Sequence, residues 1–137
     1  MKRSWLVLVL ALCLAFGLRA LLLIDATALW SDELYSVGKS FQPSFGRLLA
    51  MLREDTHPPA YYALLWLWGH LVGQSPISLR LLSWLAYLAG GLVMVRQAIA
   101  LGPVVARVKV AAVAALLAFC SPYPIRFAIE GKSYAVL

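Results

Sequence analysis

Residues 5–24, WLVLVLALCLAFGLRALLLI, form an apolar run that only Arg19 interrupts. A helix that crosses a bilayer needs about 20 mostly apolar residues. The run therefore predicts a first spanning helix within residues 1–24. A cleaved signal peptide is the alternative, because residues 25–28, DATA, weakly resemble a cleavage site. The apolar stretch is longer than the roughly 7–15 residues usual in such a peptide, so we favour the uncleaved helix.

The remaining chain also has the composition of a membrane protein. Of 137 residues, 63% are hydrophobic and 13% are charged, against about 45–50% and about 25% in soluble domains. Runs without Asp, Glu, Lys or Arg at 58–79, 81–95 and 110–125 predict further helices. The last two runs are short and need basic side chains that snorkel to the interface. We expect an all-α polytopic protein with about four spanning helices, residues 1–137 forming a single transmembrane domain.

Turn signals place the helix boundaries after residue 58. His57-Pro58-Pro59 opens the second helix, because proline is tolerated in a first turn. Gly73-Gln74-Ser75-Pro76 closes that helix, and Arg80 opens the third. Gly102-Pro103 ends the third helix, and residues 104–119 form the fourth.

The basic residues near the ends of the helices bear on orientation. Lys2 and Arg3 place the N-terminus in the cytoplasm, by the positive-inside rule. Alternating helices would then put the basic loop from Arg96 to Lys109 outside, which the same rule disfavours. Either the third run does not span, or helices beyond this chain set the orientation. We expect an integral protein of a bacterial plasma membrane.

Residues 25–57 form the longest polar segment and are expected on the extracytoplasmic side. Ser44 is predicted to cap an amphipathic helix that lies along the membrane surface. Its apolar positions follow helical spacing: Phe45, Leu48, Leu49 and Leu52. Ser31 is predicted to cap a second short helix over residues 32–38, with Asp32 and Glu33 in its first turn, where the helix dipole favours acids.

The charge pattern and the motifs exclude several classes of function. Twelve basic and six acidic residues give a net charge of +6, but the basic residues are scattered at helix ends, so nucleic-acid binding is not expected. Membrane lipids or an anionic lipid-linked substrate fit this pattern better. Zinc, nucleotide-hydrolysis and serine-hydrolase motifs are absent from the sequence. No cofactor and no metal site are predicted, and a requirement for a divalent metal stays open.

The acidic pair Asp32-Glu33 is the candidate for chemistry. A solvated first helical turn is the simplest explanation for such a pair. However, the flanking Trp30 and Tyr35 favour the membrane–water interface. Partial desolvation there would raise the pKa of a carboxylate toward the range useful for a general base. Adjacent helical residues point about 100° apart, so we expect only one acid to act directly.

Four blocks of sequence together resemble the start of the GT-C superfamily of membrane glycosyltransferases. They are WSDELYS (30–36), HPPAYY (57–62), SLRLLS (78–83) and EGKSYA (130–135). The most similar branch contains the protein O-mannosyltransferases and the lipid A aminoarabinose transferases. The resemblance implies an enzyme that moves a sugar from a polyprenyl-phosphate donor to a hydroxyl of a lipid, glycan or protein acceptor, on the extracytoplasmic face.

The resemblance also implies roles for individual residues. Asp32 and Glu33 are the expected catalytic acids, with Asp32 as the base that activates the acceptor. Four residues are expected to bind the donor phosphate or the substrate: His57, Arg80, Lys132 and Tyr134. Lys132 stands where many relatives carry Arg, which keeps the charge but loses the bidentate fork.

The chain is short for this superfamily and is expected to correspond to an N-terminal portion. A second membrane chain would then supply the missing helices. The alternative is a catalytically inactive small membrane protein or subunit derived from such an enzyme. A transporter fragment is less favoured, because few ionisable residues lie within the apolar runs.

Overall fold

The computed structural model describes residues 3–55, 59–121 and 128–131, and all regular elements in these ranges are helical. The all-α prediction is therefore confirmed for the described part of the chain. A short 3-10 helix, Val104–Ala106, precedes the last α-helix. The α-helices are α1 (Arg3–Leu22), α2 (Ser31–Ser40), α3 (Phe45–Leu52), α4 (Pro59–Val72), α5 (Pro76–Leu101) and α6 (Arg107–Cys120).

Helices α1, α5 and α6 form a bundle around one apolar core. Small residues on α6 let the backbones approach closely, as is common for helices packed in membranes. A Cβ atom added to Gly91 of α5 would lie 2.4 Å from Cζ of Phe119, so a larger residue at this crossing would force the Phe119 ring to shift. The buried core residues are Cys13, Tyr87, Ala115, Ala118, Phe119 and Ala128.

Helix α5 runs antiparallel to α1. The indole N–H of Trp84 donates to the carbonyl of Gly17 over 3.0 Å, and the guanidinium of Arg80 donates to the carbonyl of Ile24 over 2.8 Å. The beginning of α5 therefore lies beside the end of α1.

Helix α6 returns antiparallel to α5. The hydroxyl of Tyr87 donates to the carbonyl of Phe119 over 3.0 Å, while Gly102, just after α5, approaches the side chain of Val110. The turn between α5 and α6 thus lies at the same end of the bundle as the start of α1.

Helices α2, α3 and α4 form a lobe at the opposite end, where α1 ends and α5 begins. Helix α4 lies against the first turns of α5, since the indole N–H of Trp68 donates to the carbonyl of Ser78 over 2.9 Å. Ser44 caps α3 as predicted, its hydroxyl oxygen accepting the N–H of Arg47 over 3.3 Å. The buried core of the lobe contains Leu48, Leu52, Tyr61, Tyr62, Leu65, Leu79 and Leu82.

The second predicted span is shorter than expected. Helix α4 has 14 residues, which extend about 21 Å, against about 30 Å of hydrocarbon. The break after it falls where predicted, with Gly73 in the left-handed region at φ +112°. However, α5 begins at Pro76 and not at Arg80, because the hydroxyl oxygen of Ser75 caps it by accepting the N–H of Ser78.

Length and composition single out α5 among the described helices. With 26 residues, it is the one that is long and apolar enough to cross a membrane. Of α1, the stretch Cys13–Leu22 qualifies as a shorter apolar helix. Four spanning helices are therefore not confirmed.

Candidate functional site

Glu33 lies fully buried between the lobe and the bundle. Its Oε1 accepts N–H groups from Arg80 (Nε, 2.8 Å) and from the backbone of Gly131 (2.8 Å). Its Oε2 accepts from Arg80 (Nη2, 2.7 Å) and from the backbone of Trp30 (3.3 Å). A carboxylate has about four acceptor positions, so these four donors occupy all of them.

Arg80 likewise makes all of its hydrogen bonds with groups of the protein. Beyond Glu33, its Nη1 donates to the carbonyls of Ile24 and Thr27, both at 2.8 Å. Its Nη2 also donates to the carbonyl of Ala28 at 3.2 Å. All five N–H donors of the guanidinium are thus in use. We call Glu33, Arg80 and their backbone partners the junction cluster.

These contacts fix the charge of Glu33. Burial raises the pKa of its carboxyl, but hydrogen bonds from Arg80, Gly131 and Trp30 lower it by more, so the pKa lies below its ordinary value. Glu33 is therefore ionised near neutral pH and holds α2 against α5. Such a carboxylate is a poor general base, because every acceptor position is filled and its affinity for a proton is reduced.

Asp32 occupies a different side of α2 and is half-buried. Its backbone carbonyl accepts the hydroxyl of Ser36 over 3.1 Å. Helix α2 begins at Ser31 with Trp30 as its N-cap residue, so the prediction that Ser31 caps this helix is wrong. The helical geometry separates the two acids as expected: one lies inside the junction cluster and the other outside it.

A cavity of about 390 Å³ opens beside the junction cluster. Its volume falls within the roughly 300–1,000 Å³ of small-molecule sites. Trp30, Glu33, Arg80 and Glu130 line it, together with residues 27–28 and Ile129. The charged groups among these described lining residues are the carboxylates of Glu33 and Glu130 and the guanidinium of Arg80. Because the N–H donors of Arg80 are already in use, this lining disfavours the binding of an anion in the cavity.

A second group of polar residues, which sequence reasoning did not find, surrounds Lys39 of α2, the helix that also carries Glu33. Its ammonium pairs with Asp55 and lies 3.9 Å from the ring centroid of Tyr35 and 5.3 Å from that of Tyr62. Burial lowers the pKa of Lys39, but hydrogen bonds to Asp55 and Tyr35 raise it by more, so the pKa lies above its ordinary value. The sequence signal that could have identified this polar group is the spacing of Asp32, Tyr35 and Lys39, which places them on one face of α2.

Three of the predicted site residues, His57, Lys132 and Tyr134, lie outside the described residues. The predicted phosphate ligand Arg80 has other partners: a phosphate could bind its guanidinium only by displacing Glu33 or a carbonyl. No group of three or more His, Cys, Asp or Glu side chains that could hold a metal ion occurs within residues 3–55, 59–121 and 128–131.

Comparisons of the chain with protein families, curated proteins and solved structures found no match.

Proposed function

We propose that the chain is a membrane glycosyltransferase, or a portion of one, that moves a sugar from a polyprenyl-phosphate donor to an acceptor hydroxyl. One observation carries the proposal: Glu33, Arg80 and Gly131 come from three separate blocks of the GT-C resemblance and meet within hydrogen-bond distance. Glu33 and Gly131 are 98 positions apart in the sequence. The proximity of residues from distant blocks favours a common site over chance similarity.

For this reaction we assign the role of general base to Asp32, which lies next to Glu33 in sequence but outside the junction cluster. Glu33 is unsuited to it, because its lone pairs are filled and its pKa is lowered. A sugar that leaves a phosphate needs no general acid, since the phosphate already carries the charge. One base for the incoming hydroxyl, contributing roughly 10²–10⁴ in rate, and cations for the phosphate are sufficient.

The cations for the phosphate are His57 and Lys132 in this proposal, with Tyr134 as a further ligand. Arg80 has a positioning role: by holding Glu33, it fixes the first turn of α2 and therefore the backbone of the neighbouring Asp32. The cavity beside the junction cluster then receives an uncharged part of a substrate.

The helix directions support a membrane orientation with three crossings. If α1, α5 and α6 cross and α4 stays with the lobe, the basic turn containing Arg107 and Lys109 lies at the same end as Arg3. This arrangement satisfies the positive-inside rule, which four alternating helices violate. Helix α6 has 14 residues, as many as α4, but it packs antiparallel to α5 within the bundle, and its basic first turn suits it to snorkelling. The junction cluster then lies on the extracytoplasmic side.

The test is sugar transfer in membranes that contain the chain, with a polyprenyl-phosphate sugar radiolabelled in the sugar. We expect Asp32→Asn to lower the rate by about 10²-fold or more, because the base is lost. Asp25→Asn is the matched control: it changes an exposed acid of the same segment and should keep the rate. Equal transfer by native protein and Asp32→Asn would remove Asp32 from the proposed role.

The alternative of a non-catalytic subunit is favoured by a different observation. Large apolar side chains remain exposed on both α5 and α6, among them Leu92, Val93, Val113 and Leu117. Such faces suit contact with lipid or with further helices. Absence of transfer by the native chain, with correct insertion in the membrane, supports this alternative.

A further inference from the structure

The chain contains two cysteines, and the fold brings them together inside the bundle. Cys13 of α1 and Cys120 of α6 come from the first and the last described α-helix. Both pack in the same apolar core, and their thiols are near enough to interact through a hydrogen bond. Both thiols also lie near the hydroxyl of Tyr87. The bundle therefore holds a pair of neighbouring thiols.

Chance alone seldom brings two given residues into contact. A buried residue touches about 6–12 others. A second residue placed at random in a chain of 137 residues would therefore touch it in about one case in 10 to 20. The contact between Cys13 and Cys120 thus favours a joint role for the two thiols over the separate burial of two small side chains.

The two thiols differ in accessibility. Cys13 is 9% exposed, and its thiol donates to the carbonyl of Ala115 over 3.6 Å. Cys120 is partly exposed and ends α6. Because oxidation of cysteine follows exposure, a small oxidant reaches Cys120 first. Cys13 then lies beside the oxidised sulfur, in the position of a resolving thiol.

We propose that Cys120 and Cys13 form an oxidisable dithiol, in which a peroxide oxidises Cys120 and Cys13 then closes a disulfide between α6 and α1. With hydrogen peroxide, the sulfur of Cys120 attacks one oxygen, the O–O bond breaks, and the thiol proton leaves with the departing oxygen as water. The product is a sulfenic acid. The sulfur of Cys13 attacks the sulfur of this acid, the S–S bond forms, and the S–O bond breaks with loss of a second water. Two thiols thus give up two electrons, and one hydrogen peroxide is reduced to two waters.

The dithiol is separate from the candidate site. Neither cysteine lines the cavity beside Glu33, and both belong to the bundle core and not to the core of the lobe. The inference therefore goes beyond the proposed transferase function and does not depend on it.

The test uses the full chain in detergent micelles, treated with hydrogen peroxide in the presence of dimedone, which traps sulfenic acids. Mass spectrometry of the intact chain and of its peptides measures both products. We expect a monomeric chain that has lost two hydrogen atoms and in which the peptides of Cys13 and Cys120 are joined. The disulfide should exceed the dimedone adduct at least about tenfold, because a neighbouring group held in place reacts faster than a dissolved reagent. Absence of this disulfide from a chain that retains its helical circular dichroism would overturn the proposal.

Single variants assign the order of the two steps. Cys13→Ala should stop at the sulfenic acid of Cys120 and give its dimedone adduct. Cys120→Ala should leave Cys13 reduced under the same exposure. Cys13→Ser and Cys120→Ser repeat the assignment with side chains of similar size, should an alanine variant lose helix content. Equal oxidation of the remaining thiol in both variants would overturn the assigned order.

A displaced thiol is the matched control. Leu117 is 60% exposed on the same helix as Cys120. In Cys120→Ala combined with Leu117→Cys, the new thiol should be oxidised but should yield the dimedone adduct in place of the disulfide. Disulfide formation as complete as in the native chain would show that contact in the fold does not select the pair, and would overturn the proposal.

Discussion

Glu33 and Arg80 form a bidentate ion pair, 2.8 Å and 2.7 Å long, across 47 positions of sequence. The side chain of Arg80 is 3% exposed and that of Glu33 is 0% exposed. The pair joins the lobe to the bundle at a point where both partners are saturated with hydrogen bonds. Its main effect is to specify one position of α2 relative to α5.

Removing one partner should cost more than removing both. Arg80→Met leaves a buried carboxylate unpaired, which we expect to reduce the free energy of unfolding by about 3–5 kcal/mol. Replacing Glu33 by Gln in the same chain should restore part of this loss. Thermal unfolding in detergent, followed by circular dichroism, measures both effects. Arg96→Met changes an exposed arginine of the same helix and should alter stability by no more than about 0.5 kcal/mol.

The lowered pKa of Glu33 predicts a loss of stability in acid. A group whose pKa is lower in the folded state stabilises the fold fully above its unfolded pKa of about 4.3. This stabilisation is lost as pH falls through the folded pKa. The difference in unfolding free energy between native protein and Glu33→Gln should therefore be constant from neutral pH to about pH 5 and shrink below it. A difference that grows toward low pH would contradict the assignment.

Gly131→Ala should disturb the junction cluster. The added Cβ would lie 2.3 Å from side-chain atoms of Leu79, so the segment must shift and weaken the bond from its N–H to Glu33. We expect a loss of about 1–3 kcal/mol and slower transfer. Gly38→Ala is the control, since its Cβ meets nothing within 4 Å and α2 should gain up to about 1 kcal/mol. Equal stability of the two variants would mean that Gly131 makes no close approach.

Single cysteines should report the three-crossing orientation. In a chain with Cys13 and Cys120 replaced by alanine, Gln74→Cys should react with an impermeant maleimide on intact cells. Val105→Cys, at a residue that is 98% exposed, should react only after the cells are opened. If α4 crossed instead, the two labelling patterns would be exchanged.

The elements of the fold could be predicted better than their arrangement. Within the described residues, apolar runs and turn residues located each helix, and the Ser44 cap and the break at Gly73 were identified from local chemistry. The position of α4 could not be obtained in this way, because hydropathy does not reveal that α4 packs against the first turns of α5. The start of α5 was misplaced since the Ser75-Pro76 signal for a helix start was assigned to the preceding loop.

The residues of the candidate site could also be predicted better than their tertiary contacts. The sequence marked Asp32 and Glu33 as a pair, but the buried member is selected by Arg80 and Gly131, which are distant in sequence. Lys39 and Asp55 were not recognised because their pairing depends on how α2 packs against the end of α3. The Ser44 cap, which joins residues close in sequence, was predictable, whereas the tertiary partners of Glu33 and Lys39 were not.

The bond from the Gly131 N–H to Glu33 has a consequence for biogenesis. The ribosome delivers residue 33 before residue 131, so the acidic helix must wait for 98 further residues to be translated. During this interval Glu33 can pair with Arg80 as soon as α5 has been translated. It still lacks the hydrogen bond from the N–H of Gly131. A nascent polypeptide arrested between these two events would therefore hold this carboxylate with one donor missing, until residue 131 has been translated.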